Sequence, residues 1–457
     1  MRYSELAMSL KPSDTRELVK LATIPDLFNF ASGLPAAEMF PLEQMAQVDA
    51  EIYRTNGVPA LQYGATEGYA PLRKQIAERM KKVFQVNCTA ENVLLTTGSQ
   101  QGLSLLGQLF LDKGDVVLVE DPTYLGALSG LGICFPKFVP VPSDGEGMIP
   151  EALDKILAST DRVKMIYVIP DFQNPSGISW TLERRKQFME VANRYDALVV
   201  EDDPYGELRY SGEPQPSLKS LDTKGNVAFL GSFSKTLMPG LRVGWTVVDT
   251  DILDKMARLK GAVDLQSSTF SQYQASYFMN MFDLDEHVGK IRKLYGKRRD
   301  ILCDAIEKFF PEDCTATRPD GGMFVWITLP EQINAKALLP EMIENKITYV
   351  GGSKAVHVLF KLRKLRSADP LRCPIGCLRF DGDPNLHQLL TFFPFEAGHG
   401  ESLPMVVFQK AFRRQTKKGI ADRRSADIQL LCQRRFGKAR SRHQCQPYDC
   451  LVQDLVY

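Results

Sequence analysis

The residues GSFSKTLMPGLRVGW, positions 231–245, set Lys235 among the small hydroxyls Ser232, Ser234 and Thr236, with Arg242 seven positions on. Just before them, Val227-Ala228-Phe229-Leu230 has the composition of a buried strand. A lysine held in a low-dielectric pocket beside another cation has a lowered pKa and can condense with a carbonyl. A lysine in a surface turn is the plainer reading, and the commoner one for any single residue. Other groups pose the same choice. Gly98-Ser99-Gln100 at a helix start offers backbone amides, a hydroxyl and the positive end of a dipole, which suit a phosphate, or it is simply a serine cap. Arg242 offers forked donors to a phosphate, or a solvated charge. Tyr124 could stack on an aromatic ligand or belong to the core, and Asn174 in Asn-Pro-Ser-Gly makes a good turn whatever else it does. Asp202 could hold a proton on a ring nitrogen or cap the next element.

These groups do chemistry together only if the fold collects them. Short β-branched or apolar runs at 92–96, 115–119, 163–168, 197–200 and 227–230 alternate with stretches of helical pattern such as SQQGLSLLGQLFLDKG and TLERRKQFMEVANRY. That alternation predicts an α/β domain with a mostly parallel sheet between helices, where ligands gather at the carboxyl ends of the strands. The five runs lead into Thr97-Gly98-Ser99-Gln100, Glu120-Asp121-Pro122-Thr123-Tyr124, Asp171-Phe172-Gln173-Asn174-Pro175, Glu201-Asp202-Asp203-Pro204-Tyr205 and the lysine stretch. One sheet edge would then carry a phosphate cradle, a stacking ring, a carboxylate, an amide and a lysine. Pyridoxal phosphate needs this set.

Composition sets the limits. The chain has 457 residues, net charge +1 and 44% hydrophobic residues, which fits two domains or one large domain with an appendage and argues against a nucleic-acid or membrane-surface role for the whole. The opening MRYSELAMSLKPSD lacks the apolar core of a signal peptide, and no stretch is long enough to span a bilayer. Nine cysteines, scattered as Cys88, Cys134, Cys303 and Cys314 are, form neither a disulfide scaffold nor a metal site, so a reducing cytoplasm is expected.

The motifs resemble those of the fold-type I, class I/II aminotransferases, in the branch of the 2-aminoadipate, kynurenine and broad-specificity enzymes. The match runs in order through Gly33-Leu34-Pro35, Leu61-Gln62-Tyr63-Gly64, Thr97 to Gly102, Asp121 to Tyr124, Gln173 to Gly177, Glu201 to Tyr205, and Gly231 to Lys235 with Pro239 to Arg242. It covers about residues 10–357. The resemblance implies that Lys235 holds the cofactor aldehyde and moves the proton between Cα and the cofactor carbon. It implies phosphate contacts from Ser99, Gln100, Ser232, Ser234 and Arg242, and stacking by Tyr124. It further implies donors to the 3-oxygen from Asn174 and Tyr205, and Asp202 on the ring nitrogen. Tyr63 resembles a residue given to the neighbouring subunit's phosphate site, hence a homodimer. Gly33 and Arg16 resemble substrate-side residues, Arg16 being suited to a distal carboxylate.

The expected division is an N-terminal segment 1–44 that joins a small α+β domain, a large cofactor domain 45–290, the rest of the small domain 291–357, and an atypical tail 358–457. Beyond His357 the family pattern is lost, and the arginine-rich tail shows poor periodicity. Translation out of the family's frame is preferred there to a nucleic-acid-binding tail. Low order from about 358 and weakened substrate affinity are expected. Leu378-Arg379-Phe380 imitates the strand whose arginine takes the substrate α-carboxylate, and Arg379 is a weak match. Transamination between an amino acid and a 2-oxo acid such as 2-oxoglutarate is the leading reading. A β-lyase, a catalytically impaired cofactor binder and a cofactor-binding regulatory module are the alternatives.

Overall fold

The computed structural model describes residues 1–10, 27–31, 33–352 and the strand Ala355–Leu359. Its centre is a seven-stranded sheet built from β1 (Val93–Thr97), β2 (Val116–Glu120), β3 (Lys137–Val141), β4 (Val163–Val168), β5 (Leu198–Asp203), β6 (Val227–Ser232) and β7 (Val243–Val247). The order is β1-β7-β6-β5-β4-β2-β3, and β7 alone runs antiparallel to its two neighbours. The five expected strands are all present, and β3 and β7 are additional to them. Strand β3 lies at the sheet edge, is only partly buried and contains Pro140, so it lacks the continuous apolar run of a central strand.

Both faces of the sheet are covered, which explains the apolar runs. In β4, Met165 and Tyr167 join Leu103, Leu106, Val200 and Leu230 on one face, while Ile166 and Val168 join Leu153, Phe188 and Val199 on the other. Each fully buried aliphatic side chain of this kind contributes about 1.5–3 kcal/mol. Some of the helices start at a side-chain cap. The hydroxyl of Thr181 accepts from Arg184 N before the helix Leu182–Ala192, and the carboxylate of Asp283 accepts from Asp285 N and Glu286 N before the helix Leu284–Phe309. The expected helix within 99–114 occupies Ser99–Phe110.

A second, four-stranded sheet has the order β8-β9-β11-β10, from β8 (Thr315–Ala316), β9 (Phe324–Thr328), β10 (Val350–Gly351) and β11 (Ala355–Leu359). All its pairings are antiparallel. The helix Ala335–Glu344 packs with it through Leu338 and Met342 against Val325, Ile327 and Tyr349. The segment Phe28–Asn29 pairs in parallel with Ile347–Thr348, which attaches the N-terminal region to this part of the molecule. The helix Leu284–Phe309 runs unbroken past residue 290. Among the described residues, no helix is long and apolar enough to cross a membrane.

Candidate active site

Strands β1, β2, β4, β5 and β6 point the same way, so the residues after them share one edge of the sheet. Strand β7 runs the other way, and its register pairs Val243 with Thr97 and Gly244 with Ser232. Its first residue therefore lies at that same edge, and Arg242 just before it is delivered to the ends of β1 and β6. The guanidinium donates from Nη2 to Thr97 O at 3.3 Å and from Nη1 to Pro239 O at 3.4 Å. Among the described residues no carboxylate pairs with it. A Cβ at Gly98, whose φ is +74°, would lie 2.2 Å from Arg242 Nη2, so only glycine admits the arginine beside the start of the helix Ser99–Phe110. Gly244 acts likewise, since a Cβ there would approach Ser99 N to 2.5 Å. The result is a fixed positive charge beside the first, unpaired amides of a helix.

The small hydroxyls complete this corner. Ser232 Oγ donates to Ser234 Oγ at 2.8 Å and accepts from Ser234 N at 3.1 Å. Gln100 departs from expectation. Its Nε2 donates to Gly126 O at 2.9 Å, so the side chain braces the first turn of the helix Leu125–Gly132, and what it offers an anion is a backbone amide. At that turn a Cβ on Gly126 would lie 2.3 Å from Tyr124 Cζ, so the glycine makes room for the Tyr124 ring. Burial raises the pKa of the Tyr124 hydroxyl, the charge of Asp202 adds to this, and Arg242 opposes it.

Lys235 is half-buried, and its Nζ donates to Gly33 O at 2.6 Å. Burial, aided by the charge of Arg242, lowers its pKa from 10.5 to about 8. Asp202 is buried, accepts from the Tyr167 hydroxyl at 2.7 Å through Oδ2, and has its pKa raised by burial to about 6. Its Oδ1 is buried and has no hydrogen-bond partner among the described residues. Asn174 Nδ2 donates to Tyr205 OH at 3.4 Å, and the buried Tyr205 ring meets Phe324 edge-on at 5.5 Å. The turn that carries Asn174 is held by Gln173, which donates to Pro122 O at 2.6 Å and accepts from Ser176 N at 2.7 Å.

Tyr63 stands apart. It is 78% exposed in an open recess lined by Leu61, Gln266, Ser268, Thr269 and Phe270. Arg16 and Arg379 lie outside the described residues, as does the tail beyond Leu359.

Three further buried groups are not evident from the sequence pattern. Tyr167 sits inside an apolar strand and reads as core. Glu120 ends β2 and accepts from Ile169 N at 2.9 Å and Trp180 Nε1 at 3.2 Å, with its pKa pushed by burial up to about 8. Lys260 is fully buried in a helix, donating to Gln101 Oε1 at 3.0 Å and Asp264 Oδ1 at 2.8 Å. An acid at the end of an apolar strand is the one signal that could have found such a group, and only Glu120 carries it.

The donor set fits pyridoxal phosphate. An unpartnered buried carboxylate oxygen awaits a cationic N–H, a lysine of lowered pKa awaits an aldehyde, and a helix start with an arginine free of any carboxylate among the described residues awaits a dianion.

The comparisons agree. The family description "Aminotransferase class I and II" matches residues 25–366. Aromatic-amino-acid aminotransferase 1 of Thermococcus litoralis is 42% identical over 77% of this chain and 85% of its own length. The solved structure of Pyrococcus horikoshii kynurenine aminotransferase superposes with a TM-score of 0.75 at 39% identity, covering 79% of this chain and 92% of that one. The α-aminoadipate aminotransferase LysN of Thermus thermophilus, solved with N-(5'-phosphopyridoxyl)-L-leucine, gives 0.72 at 35% identity, over 78% and 92%. These relatives favour transamination over β-elimination. The chain belongs to the class I and II aminotransferases, as a fold-type I, pyridoxal phosphate-dependent enzyme that exchanges an amino group between an amino acid and a 2-oxo acid.

Proposed function

We propose that Lys235 is the cofactor-bearing base of this exchange and that the donors are amino acids of the 2-aminoadipate, aromatic or branched-chain type, with 2-oxoglutarate as one acceptor. The observation that carries the site assignment is the pairing of Lys235, whose pKa is lowered to about 8, with the buried and unpartnered Oδ1 of Asp202 at the same sheet edge. Bound pyridoxal phosphate supplies the aldehyde and the electron-accepting ring. Lys235, uncharged on release, takes the proton from the substrate Cα and returns it at the cofactor carbon. Asp202 holds a proton on the ring nitrogen by charge. Asn174 and Tyr205 donate to the 3-oxygen, and Tyr124 covers the ring. Ser99, Gln100, Ser232, Ser234 and Arg242 hold the phosphate. Gly33 borders the substrate and restrains Lys235 through its carbonyl.

The sequence supports two further substrate contacts, Arg16 with a distal carboxylate and Arg379 with the α-carboxylate. A homodimer is supported by the exposure of Tyr63 together with Val58, Leu61, Val263 and Leu265, apolar side chains that a second copy would cover while Tyr63 reaches its phosphate site. The free cysteines Cys88, Cys134, Cys303 and Cys314 suit a cytoplasmic enzyme of amino acid metabolism.

The test begins with the absorbance spectrum of the purified protein before and after adding glutamate, 2-aminoadipate, phenylalanine or leucine. Conversion to the pyridoxamine form, with borohydride label mapped to Lys235 in the resting enzyme, is the expected result. Ammonia release without the pyridoxamine form, or label on another lysine, overturns it.

A further inference from the structure

The carboxylate of Asp202 is described by two facts that belong together. Its Oδ2 accepts from Tyr167 OH at 2.7 Å, and its Oδ1 is buried without a partner. Among the described residues no cation pairs with this carboxylate, and the tyrosine supplies its one described side-chain hydrogen bond. The sheet explains the meeting. Tyr167 in β4 pairs with Val200 in β5, and Asp202, two residues further along β5, projects from the same face. An aromatic side chain spans that diagonal. The Tyr167 ring is fully buried in the cluster that includes Leu103, Leu106, Val200 and Leu230, and this packing restrains the ring that carries the hydroxyl.

We propose that Tyr167 is a positioning residue for the cofactor chemistry: its hydroxyl clamps Oδ2 of Asp202, which aims Oδ1 at the cofactor ring nitrogen and keeps that carboxylate a weak enough base to leave the proton on the nitrogen. The proposal rests on the assignment of Asp202 to the ring nitrogen made above.

The physical argument concerns where one proton sits. A buried carboxylate without partners is driven by desolvation toward its neutral form. Burial raises the pKa of Asp202, and the bond from Tyr167 lowers it. A hydrogen bond to a charged acceptor is worth about one to two pK units. Burial also raises the pKa of the Tyr167 hydroxyl well above 10, so it stays a donor at any working pH. The neighbouring phenols Tyr124 and Tyr205 feel the Asp202 charge, but no hydrogen bond from either to it is described. Without the Tyr167 hydroxyl the proton shared with the ring shifts toward Asp202, and the nitrogen loses pyridinium character. The ring then accepts carbanion electrons less readily.

Tyr167→Phe removes one oxygen and keeps the ring that packs the sheet. The holoenzyme of this variant, reconstituted with ring-15N-labelled pyridoxal phosphate, is compared by NMR with wild type and with Asp202→Asn. We expect retained cofactor colour and a ring-nitrogen resonance displaced from the pyridinium position toward neutral pyridine. Turnover should fall about ten- to hundredfold. A wild-type resonance in Tyr167→Phe, with a displaced one in Asp202→Asn, overturns the role of Tyr167 and leaves Asp202 in place. A wild-type resonance in both variants overturns the assignment of Asp202, and the proposal falls with it. A folded Tyr167→Phe protein with the wild-type resonance but slow turnover would show a merely structural contribution, which also counts against the proposal.

Discussion

The edge of the seven-stranded sheet and the four-stranded sheet are made of the same material, short apolar strands with buried side chains, yet they use it differently. The four-stranded sheet buries Val325 and Ile327 against Leu338, Met342 and Tyr349, and the Tyr349 hydroxyl donates to Ala335 O at 2.7 Å. Its strand Phe324–Thr328 adds shape, bringing Phe324 against Tyr205 and close to Gly33. The edge of the large sheet leaves ionisable groups incompletely partnered instead. Asp202 keeps an oxygen without a partner, Lys235 has its pKa lowered to about 8, and Arg242 meets no carboxylate among the described residues. A charge or half-charge buried and left incompletely paired is costly, and a ligand that completes it recovers that cost. The contrast separates residues that hold the molecule together from residues that wait for a cofactor.

The largest effect expected of a single change at the edge is that of Lys235→Ala. It should abolish amino-group exchange in both half-reactions, while circular dichroism shows a melting transition near that of wild type. A variant that loses activity by unfolding would blur the contrast at its centre. Next comes Asp202→Asn, which can still hydrogen-bond but cannot hold the ring proton by charge. Turnover should fall by about 100- to 1000-fold with cofactor still bound, read from steady-state rates and the cofactor absorbance. Near-normal turnover would move the role to neighbouring Asp203.

Gly98→Ala should act on the cradle. The added Cβ meets Arg242 Nη2 at 2.2 Å from a backbone with φ +74°, so the arginine must shift away from the helix start. Cofactor dissociation, measured by dialysis or fluorescence, should increase about tenfold, an effect of roughly 1.4 kcal/mol. Unchanged affinity would mean that Arg242 is not part of the phosphate site.

The cofactor-free protein offers a milder probe. The depressed pKa of Lys235 makes the reactive free amine the minor form below about 8 and the major form above it. Capture of pyridoxal phosphate should therefore speed up about tenfold between pH 7 and pH 9 and then level off. A rate still climbing toward pH 10.5 would describe an ordinary exposed lysine. The smallest effect on the site is expected from Val325→Ala in the other sheet. Its cavity should cost about 2 kcal/mol of stability, seen in denaturant unfolding, with cofactor capture unchanged. Loss of capture there would show that the two regions do not divide the work as argued.

What the chain's sequence determined by itself was local. Apolar runs of strand length, helical patterns between them, and turns rich in glycine, proline and asparagine marked five of the seven strands of the large sheet and the polar segment after each. The parallel arrangement then placed Ser99, Tyr124, Asn174, Asp202 and Lys235 at one edge, because strands of one direction end together. What required the tertiary structure were the pairings across long separations. The register of the antiparallel strand β7 brings Arg242 to Thr97. The passage of residue 33 over the site puts its carbonyl on Lys235 Nζ. Gln100 turns to Gly126 O because the helix Leu125–Gly132 packs against its own helix. Tyr167 reaches Asp202 only because β4 and β5 are neighbours in a definite register. Periodicity and turn chemistry are written in a few adjacent residues, whereas a hydrogen bond between distant residues exists only once strand order, register and packing have set two side chains within about three ångströms of each other.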